Sequence, residues 1–125
     1  MLREVTTDQP TILIVDDDEP TQRLLEVLMQ RYGFRTVVAA NGAAAIDRLK
    51  ERDFAAIILD LMMPHEGGMT VISHLRVHKP ELLHRVVVLT ATPDAVLKGI
   101  SKEVFAVVKK PFQAGDLVAT VARLA

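Results

Sequence analysis

A chain of 125 residues, with 50% hydrophobic and 25% charged residues, has the size and composition of one globular domain with a real core. Its 15 Lys and Arg residues nearly balance 16 Asp and Glu residues, which gives no support to nucleic-acid binding, and the absence of Cys excludes disulfides and thiolate metal sites. No apolar run approaches the roughly 20 residues of a membrane span. Residues 1–4 are not followed by the apolar segment of a secretory signal. We therefore expect a cytoplasmic domain without membrane contact.

The first strand–helix unit follows a polar stretch. Residues 1–10 are mixed and polar and are expected to form a loose arm. Residues 11–15 (TILIV) form an apolar run of strand length that ends at the acidic residues 16–19 (DDDE). Pro20 suits the first turn of a helix, and acids at its start suit the helix dipole. The helix is closed by Gly33, and its apolar stripe is formed by Leu24, Leu25 and Leu28.

Residues 35–68 predict two further strands with a helix between them. Residues 35–40 (RTVVAA) read as the second strand, and Asn41 is a helix cap or turn residue. The helix has its apolar positions at Ala45, Ile46 and Leu49. Residues 55–59 (AAIIL) then form an unbroken apolar run that stops abruptly at Asp60. Turn-forming residues follow, namely Pro64, Gly67 and Gly68.

The remaining chain continues this alternation of strands and helices. A third helix is stopped by Pro80, and its apolar positions are Met69, Ile72 and Leu75. Residues 85–89 (RVVVL) read as the fourth strand, which ends at Thr90, and residues 93–99 leave room for only a short helix. Residues 104–108 (VFAVV) read as the fifth strand. The last helix is amphipathic through Leu117, Val118, Val121 and Leu124.

Five strands, each followed by a helix, indicate one α/β domain over residues 11–125. Continuous apolar strands are typical of a parallel sheet that helices cover on both faces. Crossovers between parallel strands are almost always right-handed, and the flavodoxin-like strand order 2-1-3-4-5 is the usual one at this size. We therefore predict a doubly wound five-stranded parallel sheet with helices on both faces.

Strands one and three are neighbours in this order, so Asp16, Asp17 and Asp60 are expected to share a pocket at their carboxyl ends. Clustered carboxylates repel each other, which predicts a bound cation. With only oxygen donors in view, Mg²⁺ is the favoured ion. Acids at strand ends also cap helices, and this is the simpler interpretation for Asp17 or Asp18 taken alone. It weakens because two separate strands end in Asp.

Two further strand ends add polar groups to the same edge. Thr90 ends the fourth strand and Lys110 follows the fifth, so a hydroxyl and an ammonium group would border the pocket. Taken singly, a Thr in a strand and a solvated Lys before Pro are both ordinary. Together with a metal ion they could neutralise a phosphoryl group placed on Asp60.

These motifs together resemble the receiver domain of bacterial two-component response regulators. The resemblance covers residues 11–124 and rests on four stretches in register, namely IVDDDEP after the first strand, LDLMMP and GG after the third, VVLTAT on the fourth and KKPF after the fifth. Each stretch alone is weak, but four in register are highly specific.

The resemblance implies a role for each residue of the pocket. Asp60 would be the phosphoacceptor, Thr90 the switch hydroxyl and Lys110 the partner of the phosphoryl oxygens. The Mg²⁺ ligands would be Asp16, Asp17, Asp60 and the backbone carbonyl of Met62. The bond between Lys110 and Pro111 would be cis, which only proline makes inexpensive.

The function implied is that of a phosphoacceptor signalling domain rather than an enzyme. Asp60 would attack a phosphohistidine of a sensor histidine kinase or histidine phosphotransfer protein, and the acyl phosphate would later hydrolyse. Phosphoryl oxygens would draw Thr90 inward and rearrange the surface of the fifth strand and the last two helices, which a downstream effector protein or domain would bind. The cognate kinase, the effector and homodimer formation are left open, as is whether the domain stands alone.

The chain departs from the family pattern near its fifth strand. The position three before Lys110, often aromatic in the family, is Val107, and Phe105 lies two residues earlier. The stretch 91–106 is short and lacks the common Gly-Ala-Asp turn, so the helix before the fifth strand is expected to be abbreviated. Both departures concern the switch surface rather than the acidic pocket.

Two pairs of neighbouring residues compete for the same roles. The alignment of Val15 and of residues 24–26 (LLE) favours Asp16 and Asp17 as the metal pair, with Asp18 as the helix cap. Adjacency to Pro111 favours Lys110 over Lys109 as the pocket residue.

Other functions remain in view. The first alternative is a receiver-like interaction module that acts without phosphorylation, which Val107 weakly favours. The second is a hydrolase of the haloacid dehalogenase type, whose D-x-D motif Asp16 and Asp18 imitate, although Pro20 does not fit that motif and the chain is short for that fold. His74 and His78 have a metal-binding i, i+4 spacing, but a solvated helix face is the simpler interpretation.

Overall fold

The computed structural model describes residues 9–63, 67–91 and 99–124. Three expectations fall wholly or mainly outside these residues. They are the arm at residues 1–10, the loop residues Pro64 and His65, and the short helix at residues 93–99. None of the helices that the structure describes has the length and apolar character of a membrane span.

The described residues contain strands and α-helices in the expected alternation. The strands are β1 (Thr11–Val15), β2 (Arg35–Ala39), β3 (Ala56–Asp60), β4 (Val86–Thr90) and β5 (Ala106–Lys109). The α-helices are α1 (Glu19–Arg31), α2 (Gly42–Glu51), α3 (Gly68–His78) and α4 (Ala114–Ala122). Two 3₁₀ helices, Pro80–Arg85 and Ile100–Lys102, precede β4 and β5.

The five strands form one parallel sheet in the order β2-β1-β3-β4-β5, which confirms the predicted topology. Along β1, Ile14 pairs with Val38 of β2 on one side and Ile58 of β3 on the other. The strand order therefore reverses between β1 and β3, and the carboxyl ends of these two strands are adjacent.

Helices cover both faces of the sheet, as predicted. On one face, α2 and α3 pack on the odd-numbered residues of the two central strands, Leu13, Val15, Ile57 and Leu59. On the other, α1 and α4 pack on the even-numbered residues, Ile12, Ile14, Ala56 and Ile58. Because neither face of β1 or β3 meets water, residues 12–15 and 56–59 are all apolar rather than alternating with polar residues.

In two helices, the residues that face the sheet differ in part from the predicted ones. In α1 the buried residues are Leu25 and Met29, whereas Leu24 is 54% exposed. In α3 the inward residues include Val71, whereas Met69 is 42% exposed. Several apolar side chains compete in each helix, and the direction in which the helix docks on the sheet selects those that are buried.

The fifth strand begins later than predicted, at Ala106 instead of Val104. The amides of Glu103 and Val104 both donate to the carbonyl oxygen of Ile100, at 2.9 and 3.1 Å, so the chain is still in a turn at Val104. The residue register of β5 with β4 therefore starts with Ala106 opposite Val87.

Gly68 allows a close approach of α3 to the chain that follows Asp60. A Cβ atom at this position would lie 2.7 Å from the carbonyl oxygen of Asp60 and 2.8 Å from the Cα atom of Leu61. Both atoms are backbone, so neither can rotate away. The glycine thus allows the first turn of α3 to lie against the backbone of residues 60 and 61.

We expect Gly68→Ala to lower the free energy of unfolding by about 1–3 kcal/mol, the usual cost of forcing an extra carbon into a packed site. Gly115→Ala in α4 is the matched control, because nothing lies within 4 Å of its added Cβ. The control is expected to gain about 0.5–1 kcal/mol from the better helix propensity of Ala. Urea unfolding of the three proteins measures both effects. A Gly68→Ala midpoint at or above that of the unmodified protein would contradict the close contact.

Candidate functional site

The carboxyl edge of the sheet carries a cluster of carboxylates. One carboxylate oxygen from each of Asp16, Asp17 and Asp60 lies within 4.8 Å of the others. Asp16 directly follows β1 and Asp60 ends β3, so the parallel pairing of these strands brings the two together. Asp16 and Asp60 are 1% and 4% exposed, whereas Asp17 is exposed. The structure therefore assembles the three acids that the sequence predicted to meet.

Hydrogen bonds hold the acidic loop between β1 and α1. The amide of Asp16 donates to the carbonyl oxygen of Ala39 at 3.1 Å and extends the pairing with β2. Its Oδ1 accepts from the amide of Asp18 at 2.9 Å. Its carbonyl oxygen accepts from Nε2 of Gln22 at 2.5 Å. No sequence pattern indicates this last contact, because it joins a loop carbonyl to a helix side chain six residues later.

Asp18 faces α1 rather than the pocket. Its Oδ2 accepts hydrogen bonds from the amide of Thr21 at 3.1 Å and from the Thr21 hydroxyl, so it caps the helix. The bonds from Thr21 lower the pKa of Asp18. Of the three consecutive aspartates, the structure thus leaves the first two for the cluster.

Asp60 is held from two sides. Its Oδ1 accepts a hydrogen bond from the amide of Met62 at 2.8 Å. Its Oδ2 lies 3.3 Å from Nζ of Lys110, which is also 3.9 Å from Oδ2 of Asp16. Lys110 therefore brings a positive charge to the cluster, whereas Lys109 is exposed at the end of β5.

Lys110 and Thr90 lie side by side at the ends of neighbouring strands. The amide of Lys110 donates to the carbonyl oxygen of Thr90 at 3.0 Å. The bond between Lys110 and Pro111 is cis, as the family resemblance implied. Thr90 ends β4 and is fully buried, one position beyond Leu89, the register partner of Asp60.

The cluster is electrostatically incomplete in a way that fits a divalent cation. Oδ2 of Asp16 is buried and has no hydrogen-bond partner. Burial raises the pKa of Asp16, and the nearby charges of Asp60 and Asp17 raise it further, against the opposing effects of the Asp18 amide and Lys110. The Lys110 ammonium group lies within 4 Å of two of the three carboxylates, and all metal-ligand atoms that these residues offer are oxygens. Such a set is suited to a hard metal ion.

The residues near β5 lie on different faces of the sheet. Val107 packs against the cluster formed with α2 and α3. Phe105 packs against the cluster formed with α1 and α4, and the Arg123 guanidinium carbon lies 5.2 Å from its ring centre. Phe105 therefore does not replace the aromatic residue that the family often has at the position of Val107.

The histidine pair on α3 is separate from the acidic site. The ring centres of His74 and His78 are 4.6 Å apart. Partial burial lowers the pKa of His74, and the neighbouring His78, Lys50 and Lys79 lower it further. Within the described part of the chain, the acidic cluster is the one group of three or more side chains that could hold a metal ion. The histidine pair therefore has no third ligand among these residues.

Comparisons with known proteins agree on one family. A model described as the response regulator receiver domain matches residues 12–122. The transcriptional regulatory protein SrrA of Staphylococcus aureus is 34% identical over 115 residues, which cover 90% of this chain and 46% of that protein. The chain thus spans about half the length of the curated relatives it matches.

Solved structures resemble this fold closely. The response regulator TrrA of Thermotoga maritima, in complex with Mg²⁺-BeF, superposes with a TM-score of 0.83 at 27% identity, covering 94% of this chain and 100% of that one. A Francisella response regulator receiver domain superposes with a TM-score of 0.81 at 25% identity, covering 93% and 96%.

We expect Asp16→Asn to stabilise the protein near neutral pH when no divalent cation is added. The pKa of Asp16 in the folded state lies above its ordinary value of 3.8. The protonated side chain therefore contributes fully to the stability of the folded protein below pH 3.8, and this contribution is lost as the pH rises through the raised pKa. Asn stays neutral and avoids this loss.

Asp18→Asn is the matched control with the opposite sign. The pKa of Asp18 is lowered in the folded state. The ionised side chain therefore stabilises the folded protein above pH 3.8, and this stabilisation is lost as the pH falls through the lowered pKa. Urea unfolding at neutral pH and below pH 3.8 measures both variants. An Asp16→Asn protein less stable than the unmodified protein at neutral pH would contradict the repulsive cluster.

Proposed function

The chain belongs to the response regulator receiver domain family, and from this premise we propose that it is a phosphoacceptor switch in a two-component phosphorelay, with Asp60 as the phosphorylated residue. The observation that carries the proposal is the setting of the Asp60 carboxylate. It is buried at the carboxyl end of β3, with Oδ1 bonded to the Met62 amide and Oδ2 3.3 Å from Lys110. Asp16 and Asp17 complete the acidic cluster around it.

The proposed reaction transfers a phosphoryl group from a phosphohistidine to Asp60. A carboxylate oxygen of Asp60 attacks the phosphorus in line, the P–N bond breaks, and its electron pair returns to the imidazole of the donor. Lys110 offsets negative charge on the phosphoryl oxygens, and the Met62 amide keeps the carboxylate in one orientation. Water later hydrolyses the acyl phosphate, which releases inorganic phosphate and restores the carboxylate.

We further propose that the cluster binds Mg²⁺. The ligands would be Asp16, Asp17, Asp60 and the backbone carbonyl of Met62. The unpartnered Oδ2 of Asp16 and the all-oxygen donor set support this choice, as does the Mg²⁺-BeF complex of the Thermotoga relative. When bound, the ion would supply positive charge that reduces the repulsion between the carboxylates and the incoming phosphoryl group.

The switch would run through Thr90 to a surface for an effector. Thr90 is buried at the end of β4, beside the strand that Asp60 ends, so a phosphoryl group on Asp60 would lie near it. Val107 occupies the position where an aromatic side chain often couples this movement to the surface. A β-branched residue has few rotamers and little reach. We therefore propose that the movement is transmitted by the backbone of β4 and β5 rather than by a swinging ring.

The phosphodonor would approach along a groove beside Lys110. The groove has a volume of about 510 Å³ and is bordered by Thr21, Leu24, Lys110, Pro111, Phe112 and Ala114. The exposed Leu24 side chain and Phe112 make it apolar. The proposed donor is a sensor histidine kinase or a histidine phosphotransfer protein.

The effector is either a separate protein or another part of a longer chain. The Staphylococcus relative is a transcriptional regulatory protein about twice as long as the matched segment. We propose that the receiver domain comprises residues 11–125 and acts in the cytoplasm. In this proposal it binds neither nucleic acid nor a membrane directly, and both a monomer and a homodimer are open. Val107 favours one competing function, an interaction module that needs no phosphorylation.

We expect acetyl phosphate with Mg²⁺ to add one phosphoryl group to the protein, detected as a gain in intact mass. Asp60→Asn removes the nucleophile and should abolish the gain. Asp18→Asn is the matched control, because it removes one charge from the same aspartate run while leaving a helix cap in place. The control should be phosphorylated like the unmodified protein.

The outcomes separate the candidate functions. A gain that requires Mg²⁺ and Asp60 supports the receiver switch. No gain, even from an active histidine kinase, supports the interaction module instead. A gain that survives Asp60→Asn would place the nucleophile elsewhere and contradict the assignment.

A further inference from the structure

Gln22 holds the peptide group that joins two of the clustered aspartates. Its Nε2 donates to the carbonyl oxygen of Asp16 at 2.5 Å, and that carbonyl belongs to the peptide between Asp16 and Asp17. The sheet no longer fixes this peptide, because the last bond from Asp16 to β2 is made by its amide to Ala39. The orientation of the peptide therefore depends on a side chain of α1.

The peptide on the other side of Asp17 is also held. The amide of Asp18 donates to Oδ1 of Asp16 at 2.9 Å. Both peptide planes that flank Asp17 are thus fixed by hydrogen bonds, one from Gln22 and one to Asp16. The Asp17 side chain itself is exposed, so packing cannot orient it. Its position relative to Asp16 follows from the two peptides.

We propose that Gln22 is a positioning residue that sets Asp17 against Asp16 and so prepares the acidic cluster for its divalent cation. The inference rests on the proposed function, because it concerns the metal site of the phosphoacceptor. Gln22 acts through the Asp16 carbonyl and need not touch the ion or the phosphoryl group. Groups that orient metal ligands in this way commonly change metal affinity by 10–100-fold when they are removed.

The residue type and its support fit this role. A glutamine amide donates a hydrogen bond without adding a charge beside the cluster, whereas a lysine would compete with the cation. The helix that carries Gln22 is fixed at its start by Pro20 and by the Asp18 cap. The donor therefore comes from a rigid element, which is what a preorganised site requires.

The test compares Gln22→Met with Gln30→Met. Methionine has similar length and good helix propensity but cannot donate this hydrogen bond. Gln30 is the matched control, because its Nε2 donates to the Thr36 hydroxyl at 2.8 Å, near the opposite end of α1. Mg²⁺ alone is titrated into each protein, with binding followed by amide chemical shifts. Phosphorylation by acetyl phosphate is then measured as a function of Mg²⁺ concentration.

We expect Gln22→Met to raise the half-saturating Mg²⁺ concentration about tenfold and to leave the rate at saturating Mg²⁺ within about twofold of the unmodified protein. Without metal, the Asp18 amide should exchange faster with solvent in this variant, because Asp16 is less firmly held. The urea midpoint should match that of Gln30→Met. This split between affinity and saturated rate would not arise from a general loss of structure.

Each other result overturns the inference. Equal Mg²⁺ affinity in Gln22→Met and Gln30→Met would remove the positioning role while leaving the proposed function intact. A large loss of metal-free stability in Gln22→Met, with a reduced rate that saturating Mg²⁺ does not restore, would make the contact purely structural. Absence of Mg²⁺ binding in the unmodified protein and in Gln30→Met would instead contradict the metal site of the proposed function itself.

Discussion

The parallel pairing of β1 with β3 forces acidic side chains together at the edge of the sheet. Asp16 and Asp60 follow or end neighbouring strands, and Asp17 is covalently tied to Asp16. In a sheet of this order, Asp16 and Asp60 cannot move apart unless the backbone pairing of β1 with β3 is broken. The repulsion between these carboxylates is therefore imposed by the same packing that stabilises the fold. A cation, or the ammonium group of Lys110, reduces that repulsion.

The surrounding structure limits how this repulsion can be relieved. The Met62 amide and Lys110 hold the Asp60 carboxylate, and Gly68 lets α3 begin close behind it. Oδ2 of Asp16 nevertheless stays buried without a hydrogen-bond partner. Such a group lowers stability and is retained where function depends on it. The carboxylates are thus held in position but their charge is not balanced, which agrees with the proposed metal site.

The side of the domain that would carry the output is built differently. Val107 and Phe105 pack on opposite faces of the sheet. The Phe105 ring lies against the Arg123 guanidinium group and away from the face on which Val107 packs. The segment before β5 is also tied to α3, where Arg76 donates two hydrogen bonds to the Glu103 carboxylate at 2.7 and 2.6 Å. Arginine side chains thus contact both Phe105 and Glu103 just before β5.

The sheet and the residues of the acidic pocket were predictable from the sequence pattern alone. Strands buried on both faces must be apolar throughout, so residues 11–15 and 55–59 were recognisable, and the preference for right-handed crossovers then brought Asp16 and Asp60 together. Other features became visible only in the packed fold: Leu24 and Met69 face outward, β5 begins at Ala106, and the Gln22 side chain donates a hydrogen bond to the carbonyl oxygen of Asp16. The sheet and the pocket depend on local patterns and on strand ends. The burial of helix side chains depends on how each helix rotates when it docks, and the start of β5 depends on the turn closed at Ile100. A rotation of one residue changes which side chain is buried and which reaches the loop, and no local pattern records it.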